Sequence, residues 1–485
     1  MTQTPAVAPP TTPVRRLAEQ AFSRAAGAPL IGGNRVELLI DGAAHFDAWA
    51  DAIAGAGGSV FLENYIIRND PVGRRFRDLL AERAKAGVTV CVVRDWLGCF
   101  GLDGGGFWQP LLDAGGEVRS YNPARFDSPL GWINRDHRKL VVVDGDIAFV
   151  SGVCLSAKWL GEPEKGVPPW RDTGVSLRGP AVAELAAAFA DVWSQLGEPL
   201  PAALLPSPSE PAGDTDVRVI ATAPSTAGLF RLDQLIAAMA RRRLWLTDAY
   251  FVGLPPYVQA LRAAALDRVD VRLLVPGASD IPAVARMSRA GYRPLLEAGV
   301  RVFEWNGSML HSKTAVADSR WARVGSSNLN IASWIGNCEI DLAIEDHAFA
   351  QALEAQFVHD LENATEIVLT KQKVKKGAKR RVPKSGSGGS SRAAAGALRL
   401  AHSVGAALGN QRVLGRAEAG ALPWATVLLL ALGVVAVQWP RLLAWPLAAG
   451  LFALGFSLFA RYLRVCRAHP RKPAQTPPET TEPPA

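Results

Sequence analysis

The pattern His-x-Lys-x-x-x-x-Asp occurs twice in this sequence, and that repetition narrows the possible folds more than any bulk property. The first copy runs from His137 through Lys139 to Asp144, the second from His311 through Lys313 to Asp318, with the histidines 174 residues apart. The chain has 485 residues and only seven histidines, so two matches in similar surroundings point to an internal duplication rather than chance. Each copy enters a run of β-branched or small apolar residues, then a turn (Asp144-Gly145-Asp146; Asp318-Ser319-Arg320), then a second strand-like run. Alternate residues of a strand share a face, so each histidine and lysine pair converges on one small target. A phosphate diester suits that pair. Lysine neutralises non-bridging oxygens, while histidine attacks phosphorus or protonates a leaving alcohol. A metal suits it poorly, because a protonated lysine beside each histidine repels cations and no further ligands complete a site. No cofactor is expected. Asp144 and Asp318 close the motifs and are expected to brace the turns rather than carry protons.

An acid follows each motif at a similar distance: Asp172 in Trp-Arg-Asp-Thr-Gly-Val and Glu339 in Asn-Cys-Glu-Ile-Asp-Leu. A carboxylate holding the far ring nitrogen would fix the tautomer of a working histidine. A third pairing is Glu63 and Asp248, each in an early strand of its half and each followed two residues on by tyrosine, in a position to support the lysines or histidines.

The surrounding pattern alternates strand and helix. Strands are expected at Val60–Ile67 and Val88–Asp95 around a helix at Arg74–Ala86, with a further helix at Val182–Trp193. The order recurs in strands Leu244–Val252 and Val269–Val275 with helices Pro256–Ala265 and Ala283–Ala298. Such alternation predicts α/β units with a largely parallel sheet. Composition breaks divide the chain into an extension (1–28), a first half (29–196), a Pro/Ser-rich linker (197–216), a second half (217–368), a basic and Gly/Ser/Ala-rich linker (369–420), an apolar pair of segments (421–460) and a basic, then Pro-rich tail (461–485).

The duplicated motif resembles that of the phospholipase D superfamily, and residues 30–365 resemble its bacterial cardiolipin synthases. Glu63-Asn64-Tyr65-Ile66-Ile67-Arg68, Asp95-Trp96-Leu97-Gly98, Asn134-Arg135-Asp136-His137-Arg138-Lys139 and Gly325-Ser326-Ser327-Asn328-Leu329-Asn330 carry the likeness. It implies two similar α/β sandwich halves whose motifs meet at one central active site. It also implies a two-step exchange through a phosphohistidine. By analogy His137 is the nucleophile and His311 the general acid and base, although the near-symmetric copies do not order themselves. Lys139 and Lys313 would clamp the phosphoryl oxygens, and Ser326 and Asn328 would add hydrogen bonds. The first half departs from the pattern: Cys154 stands where the second half has Asn328. The activity implied is phosphatidyl transfer between two phosphatidylglycerols, giving cardiolipin and glycerol. The alternatives are a hydrolase releasing phosphatidic acid and a nuclease.

Charge bears on that choice. Residues 371–485 hold 18 Lys and Arg against three acids, so the overall net charge of +8 leaves residues 1–370 at −7. A nucleic-acid-binding body normally shows a basic balance, and none is expected to bind here. The eight cations of the Lys371–Lys384 run stand before the apolar segments Ala421–Trp439 and Leu442–Ala460 and would contact anionic headgroups. Each segment has 19 residues, the least that spans a bilayer, and Pro423 and Pro446 interrupt them. They read as a helical membrane hairpin, spanning or lying in one leaflet, with both basic ends and the catalytic part on the cytoplasmic side of the inner membrane. The first 28 residues lack the apolar core of a signal peptide. Five scattered cysteines with no CxxC pair predict neither a disulfide framework nor a zinc site.

Overall fold

The fold was read from a computed structural model, which describes residues 13–369 apart from 103–104 and 124–132, together with isolated helical positions between Val427 and Phe459. The expected hairpin, basic run and tail lie outside the described residues almost entirely. Among the described residues no helix is long and apolar enough to cross a membrane. Residues 385–407 and 412–485 belong to a separate unit, and the catalytic body is described by itself.

After α1 (Pro13–Ala26) the body repeats one sequence of elements. The first pass is β1 (Ile31–Ile40), α2 (Asp41–Ala54), β2 (Ser59–Asn64), α3 (Pro71–Lys85), β3 (Thr89–Asp95), α4 (Gln109–Asp113), β4 (Glu117–Tyr121), β5 (Lys139–Val143), β6 (Ile147–Ser151), β7 (Thr173–Arg178) and α5 (Val182–Gln195). The second is β8 (Thr215–Thr222), α6 (Gly228–Met239), β9 (Arg243–Thr247), α7 (Pro255–Leu266), β10 (Asp270–Pro276), α8 (Pro282–Glu297), β11 (Arg301–Trp305), β12 (Thr314–Ala317), β13 (Trp321–Gly325), β14 (Glu339–Glu345) and α9 (His347–Glu362), followed by β15 (Ala364–Ile367). Strand order reads β15-β11-β10-β9-β12-β13-β14-β8-β1-β7-β6-β5-β2-β3-β4, so the two halves are mirror-ordered about the β8–β1 junction.

The sheet is mixed rather than largely parallel. Pairings β2–β3, β3–β4, β9–β10 and β10–β11 are parallel, whereas the motif strands β5 and β12 each lie antiparallel between their neighbours. The reason is local. The turns after Val143 and Ala317 are tight, and a tight turn joins antiparallel strands only. Asp144 and Asp318 make those turns, both in the left-handed backbone region. Asp144 accepts from the amides of Gly57, Gly58 and Ser59, and Asp318 from those of Arg241, Arg242 and Arg243. Burial opposes their charge, but three amide donors outweigh it and hold each carboxyl below its usual range. Both acids tie the motif turn to the strand beside it, at the end of β5 or β12 away from the lysine.

Burial explains the layering. Apolar residues of α5 and α9 pack together with the inner faces of both halves' strands in one core. α2 and α3 cover the outer face of the first half, and α6, α7 and α8 that of the second. Each half of the sheet is thus covered on both faces, which is why β5 (Lys-Leu-Val-Val-Val) is buried at every position.

Candidate active site

Two short cross-half pairings build the site. The amide of His137 donates to the carbonyl of Cys338 (2.9 Å) and Cys338 N to Arg135 O (2.9 Å). Symmetrically, His311 N donates to Arg171 O (2.7 Å) and Arg171 N to Met309 O (3.0 Å). Each histidine is therefore seated beside the acid-bearing segment of the other half. His137 Nδ1 lies 2.9 Å from Glu339 Oε2, and His311 Nδ1 lies 2.8 Å from Asp172 Oδ2. The acid that follows each motif in sequence serves the other motif's histidine.

With a carboxylate as acceptor, Nδ1 carries the proton and Nε2 is left as the free nitrogen of each ring. Both carboxylates are buried and themselves held. Ser326 Oγ donates to Glu339 Oε2 (2.6 Å) and Asn337 Nδ2 to Glu339 Oε1 (3.1 Å), while Trp159 Nε1 donates to Asp172 Oδ2 (2.9 Å). Burial alone would raise both acids, but the facing imidazoles and lysines bring them below their usual ranges. The Ser326 hydroxyl expected on the phosphoryl group is thus engaged on Glu339. In the first half Gly152 takes the corresponding place, and a Cβ there would collide with Asp172 Oδ1. The amide of Asn328 donates to Ser333 Oγ (3.1 Å), and its buried Oδ1 has no partner.

Lys139 and Lys313 are fully buried and each Nζ donates to the carbonyl of the histidine two residues before it. Tyr65 and Tyr250 stand over the lysines (5.1 and 5.9 Å from Nζ to ring centre) and beside the histidines (4.8 and 5.9 Å between rings). Gly98, from the glycine-rich stretch, packs so closely under the Tyr65 carbonyl that any Cβ would collide with it. Glu63 and Asp248 have diverged. Asp248 accepts from the amide of Leu329 (2.9 Å) and lies in the field of Lys313. Glu63 instead lies 3.8 Å from Arg138 Nη1. Arg138 donates to the carbonyl of Ala188 in its own half and, crossing into the other half, to those of Thr222 and Glu339.

The two sides of the cavity differ. His311 lies against Trp159 (5.2 Å), Trp170 (5.7 Å) and Tyr250, all aromatic. On the His137 side stands Arg135. The cavity holds about 530 Å³, and its lining includes both histidines, Arg135, Asn328 and Asn337. Its rim is mostly aliphatic: Ile133, Ile281, Met287 and Ile331 line it while 44–57% exposed, beside the exposed Asp280. Trp159, Trp170, Arg135 and Asn337 were not among the sequence-derived site residues. Both indoles sit in the loop between β6 and β7, where no periodicity marks them. Trp305, which precedes the second motif, lines a different cavity with Asp41 and Arg171.

Burial dominates the titration of both rings. It lowers His137 to about 4 and His311 to about 3, with Lys139 and Lys313 adding to the fall and the carboxylates opposing it. Burial also brings Lys313 below the usual lysine range. Both imidazoles are therefore neutral near pH 7 with the cavity empty. An entering anion supplies the missing negative charge and raises both, so binding takes up protons. Titrating sulfate, which does not itself titrate, at about pH 5.5 is expected to show proton uptake as a binding heat that varies with buffer ionisation enthalpy. His311→Ala should diminish the uptake. Proton release would contradict this electrostatic account.

Comparisons with known proteins show what the body carrying this site is similar to. Residues 233–361 match the family model described as cardiolipin synthase, PLD-like domain. Cardiolipin synthase A of Pseudomonas aeruginosa is 35% identical over 357 residues, which is 72% of this chain and 71% of that one. Its counterpart in Pseudomonas fluorescens is 36% identical over 349 residues, 70% and 71% of the two chains. Among solved structures, phosphatidylserine synthase of Haemophilus influenzae superposes with a TM-score of 0.53 at 15% identity, covering 72% of this chain and 91% of that one, a likeness of fold.

Proposed function

From the premise that this chain belongs to the phospholipase D superfamily, in its cardiolipin synthase-like branch, we propose that it is a phosphatidyltransferase that makes cardiolipin from two phosphatidylglycerols. The observation that carries the reading is the pair of imidazoles in one cavity, each with Nδ1 on a buried carboxylate and both beneath a mostly aliphatic rim. A cavity with phosphoryl-transfer chemistry on its floor and exposed aliphatic side chains at its mouth suits an amphipathic diester. A nucleic-acid backbone would meet a body of net charge −7.

In the first step the lone pair of His137 Nε2 attacks phosphorus. The P–N bond forms, the P–O bond to glycerol breaks, and the glycerol oxygen takes from His311 Nε2 the proton which that ring took up as the anionic diester entered. In the second step the terminal hydroxyl of another phosphatidylglycerol gives its proton to His311 Nε2 and its oxygen attacks phosphorus. The P–N bond breaks and His137 is restored. Two phosphatidylglycerols yield one cardiolipin and one glycerol. Lys139, Lys313 and Asn328 stabilise the phosphoryl oxygens as charge builds on them. Glu339 and Asp172 orient the rings and support the imidazolium form. The apolar segments of 421–460 anchor the enzyme in the inner membrane, with the Lys371–Lys384 run on anionic headgroups and the catalytic body on the cytoplasmic face.

The test is incubation of the detergent-purified full-length chain, with a His137→Ala control, on phosphatidylglycerol without added metal, products being identified by mass. Cardiolipin and glycerol, absent from the control, are expected. Phosphatidic acid as the sole lipid product would make the protein a hydrolase, and no histidine-dependent product would overturn the substrate class.

A further inference from the structure

The twin motifs are nearly symmetric, yet the cavity they share carries one guanidinium on one side. Arg135 lies two residues before His137. At the same place before His311 the second half has Met309, which is buried. Arg135 is 7% exposed and lines the cavity. Its Nη1 donates to Asp95 Oδ1 (3.1 Å), while Nε and Nη2 are buried with no hydrogen-bond partner. Asp95 is well served without them, because Oδ1 also accepts from Gly98 N (2.8 Å) and Oδ2 from Asp136 N (3.0 Å). Buried guanidinium N–H groups are seldom left unmet, since each forfeits its hydration without return. A planar fork with two free directions matches two oxygens of one phosphate.

We propose that Arg135 forms a second anion subsite, which binds the phosphodiester of the acceptor lipid while its hydroxyl reacts at His137. This rests on the phosphatidyl-transfer reading above and adds what distinguishes the acceptor from water. The reacting phosphate already has two lysines, one from each half. An acceptor phosphatidylglycerol brings another phosphate, three glycerol carbons from its attacking hydroxyl. Residues 135–138 are extended against Cys338, so Arg135 and His137 face the same side about 6.5 Å apart along the strand. That separation is close to the length of a glycerol bridge between two phosphates. Water and simple alcohols carry no second phosphate, so Arg135 favours the lipid acceptor over both. On the Trp159 and Trp170 side the described lining holds no such cation, Lys158 lying over the Trp170 ring (5.2 Å) and outside that lining.

The experiment is an acceptor competition with the full-length enzyme in phosphatidylglycerol vesicles containing ethanol. The products are cardiolipin from the anionic acceptor, phosphatidylethanol from the neutral one and phosphatidic acid from water. In Arg135→Ala and Arg135→Gln the ratio of cardiolipin to phosphatidylethanol is expected to fall at least about tenfold, with Arg135→Lys between them and the parent. If alanine prevents folding, seen as loss of the cooperative melting transition, Arg135→Lys carries the test with an expected fall of about threefold or more. An unchanged ratio in the folded variants, or equal loss of all three products, overturns the subsite. A parent enzyme that makes no cardiolipin at all overturns the transfer reading instead, whatever the variants do.

Discussion

His311→Ala is expected to trap the enzyme halfway, with a phosphatidyl group on His137, when the substrate carries a leaving group that needs no proton. Glycerol leaves as a strongly basic alkoxide unless an acid protonates it, so on phosphatidylglycerol either histidine variant should lose at least about 10⁴ in kcat/KM. A nitrophenyl phosphodiester lipid separates the two roles, because nitrophenolate departs unaided. His311→Ala should then release a burst of about one nitrophenolate per enzyme and stall, since no base activates the acceptor. His137→Ala should release none. Mass analysis of the stalled protein should place the added mass on the peptide holding His137. A burst from His137→Ala, with the adduct on His311, would reverse the assignment. The structure shows why the question is sharp: the rings have the same partners by type, Nδ1 on a carboxylate and a lysine two residues on. Their surroundings differ only outside that symmetric core, where indoles flank His311 and Arg135 stands near His137.

What was legible in the sequence follows from which forces act locally. The twin motifs announce themselves because the chemistry needs histidine and lysine on one strand face, and strand geometry fixes that at a spacing of two. The strand–helix alternation is equally local, and α3, β3, α5, α7, β10 and α8 fall within a few residues of expectation. The strand at Val60–Ile67 stops at Asn64, and that at Leu244–Val252 stops at Thr247, because the chain leaves the sheet there to bring Tyr65 and Tyr250 over the lysines. Sheet direction was misread because the alternating units occupy only the outer strands of each half, while the motif hairpins turn back on themselves. Asp172 and Glu339 could be picked out as recurring acids, but not matched to a histidine. The match depends on pairing between segments some 140–200 residues apart, Arg171 with Leu310 and Asp136 with Cys338. No local pattern encodes that.

The crossed carboxylates have a large and distinctive consequence. Asp172→Asn and Glu339→Gln keep the shape of each side chain but remove the charge that supports an imidazolium and the acceptor that fixes its tautomer. Each is expected to lower kcat/KM on phosphatidylglycerol by about 10²–10⁴. The defects should differ with the leaving group. Asp172 serves His311, whose proton the nitrophenyl substrate does not need, so Asp172→Asn should regain most of its rate in the burst phase. Glu339 serves the attacking ring, so Glu339→Gln should remain slow with both substrates. Coupling follows the same lines. Asp172→Asn should cost little in a His311→Ala background, because its partner is already gone, yet lower the rate further in a Glu339→Gln background. Assignment by sequence order makes the opposite forecast, since there Asp172 would pair with His137 and its loss would slow the burst. Recovery of the burst in Glu339→Gln and not in Asp172→Asn would therefore refute the roles drawn from the cross-half contacts. Ser326→Ala should produce a weaker copy of the Glu339 defect, because the hydroxyl reaches phosphorus only through Glu339 and His137.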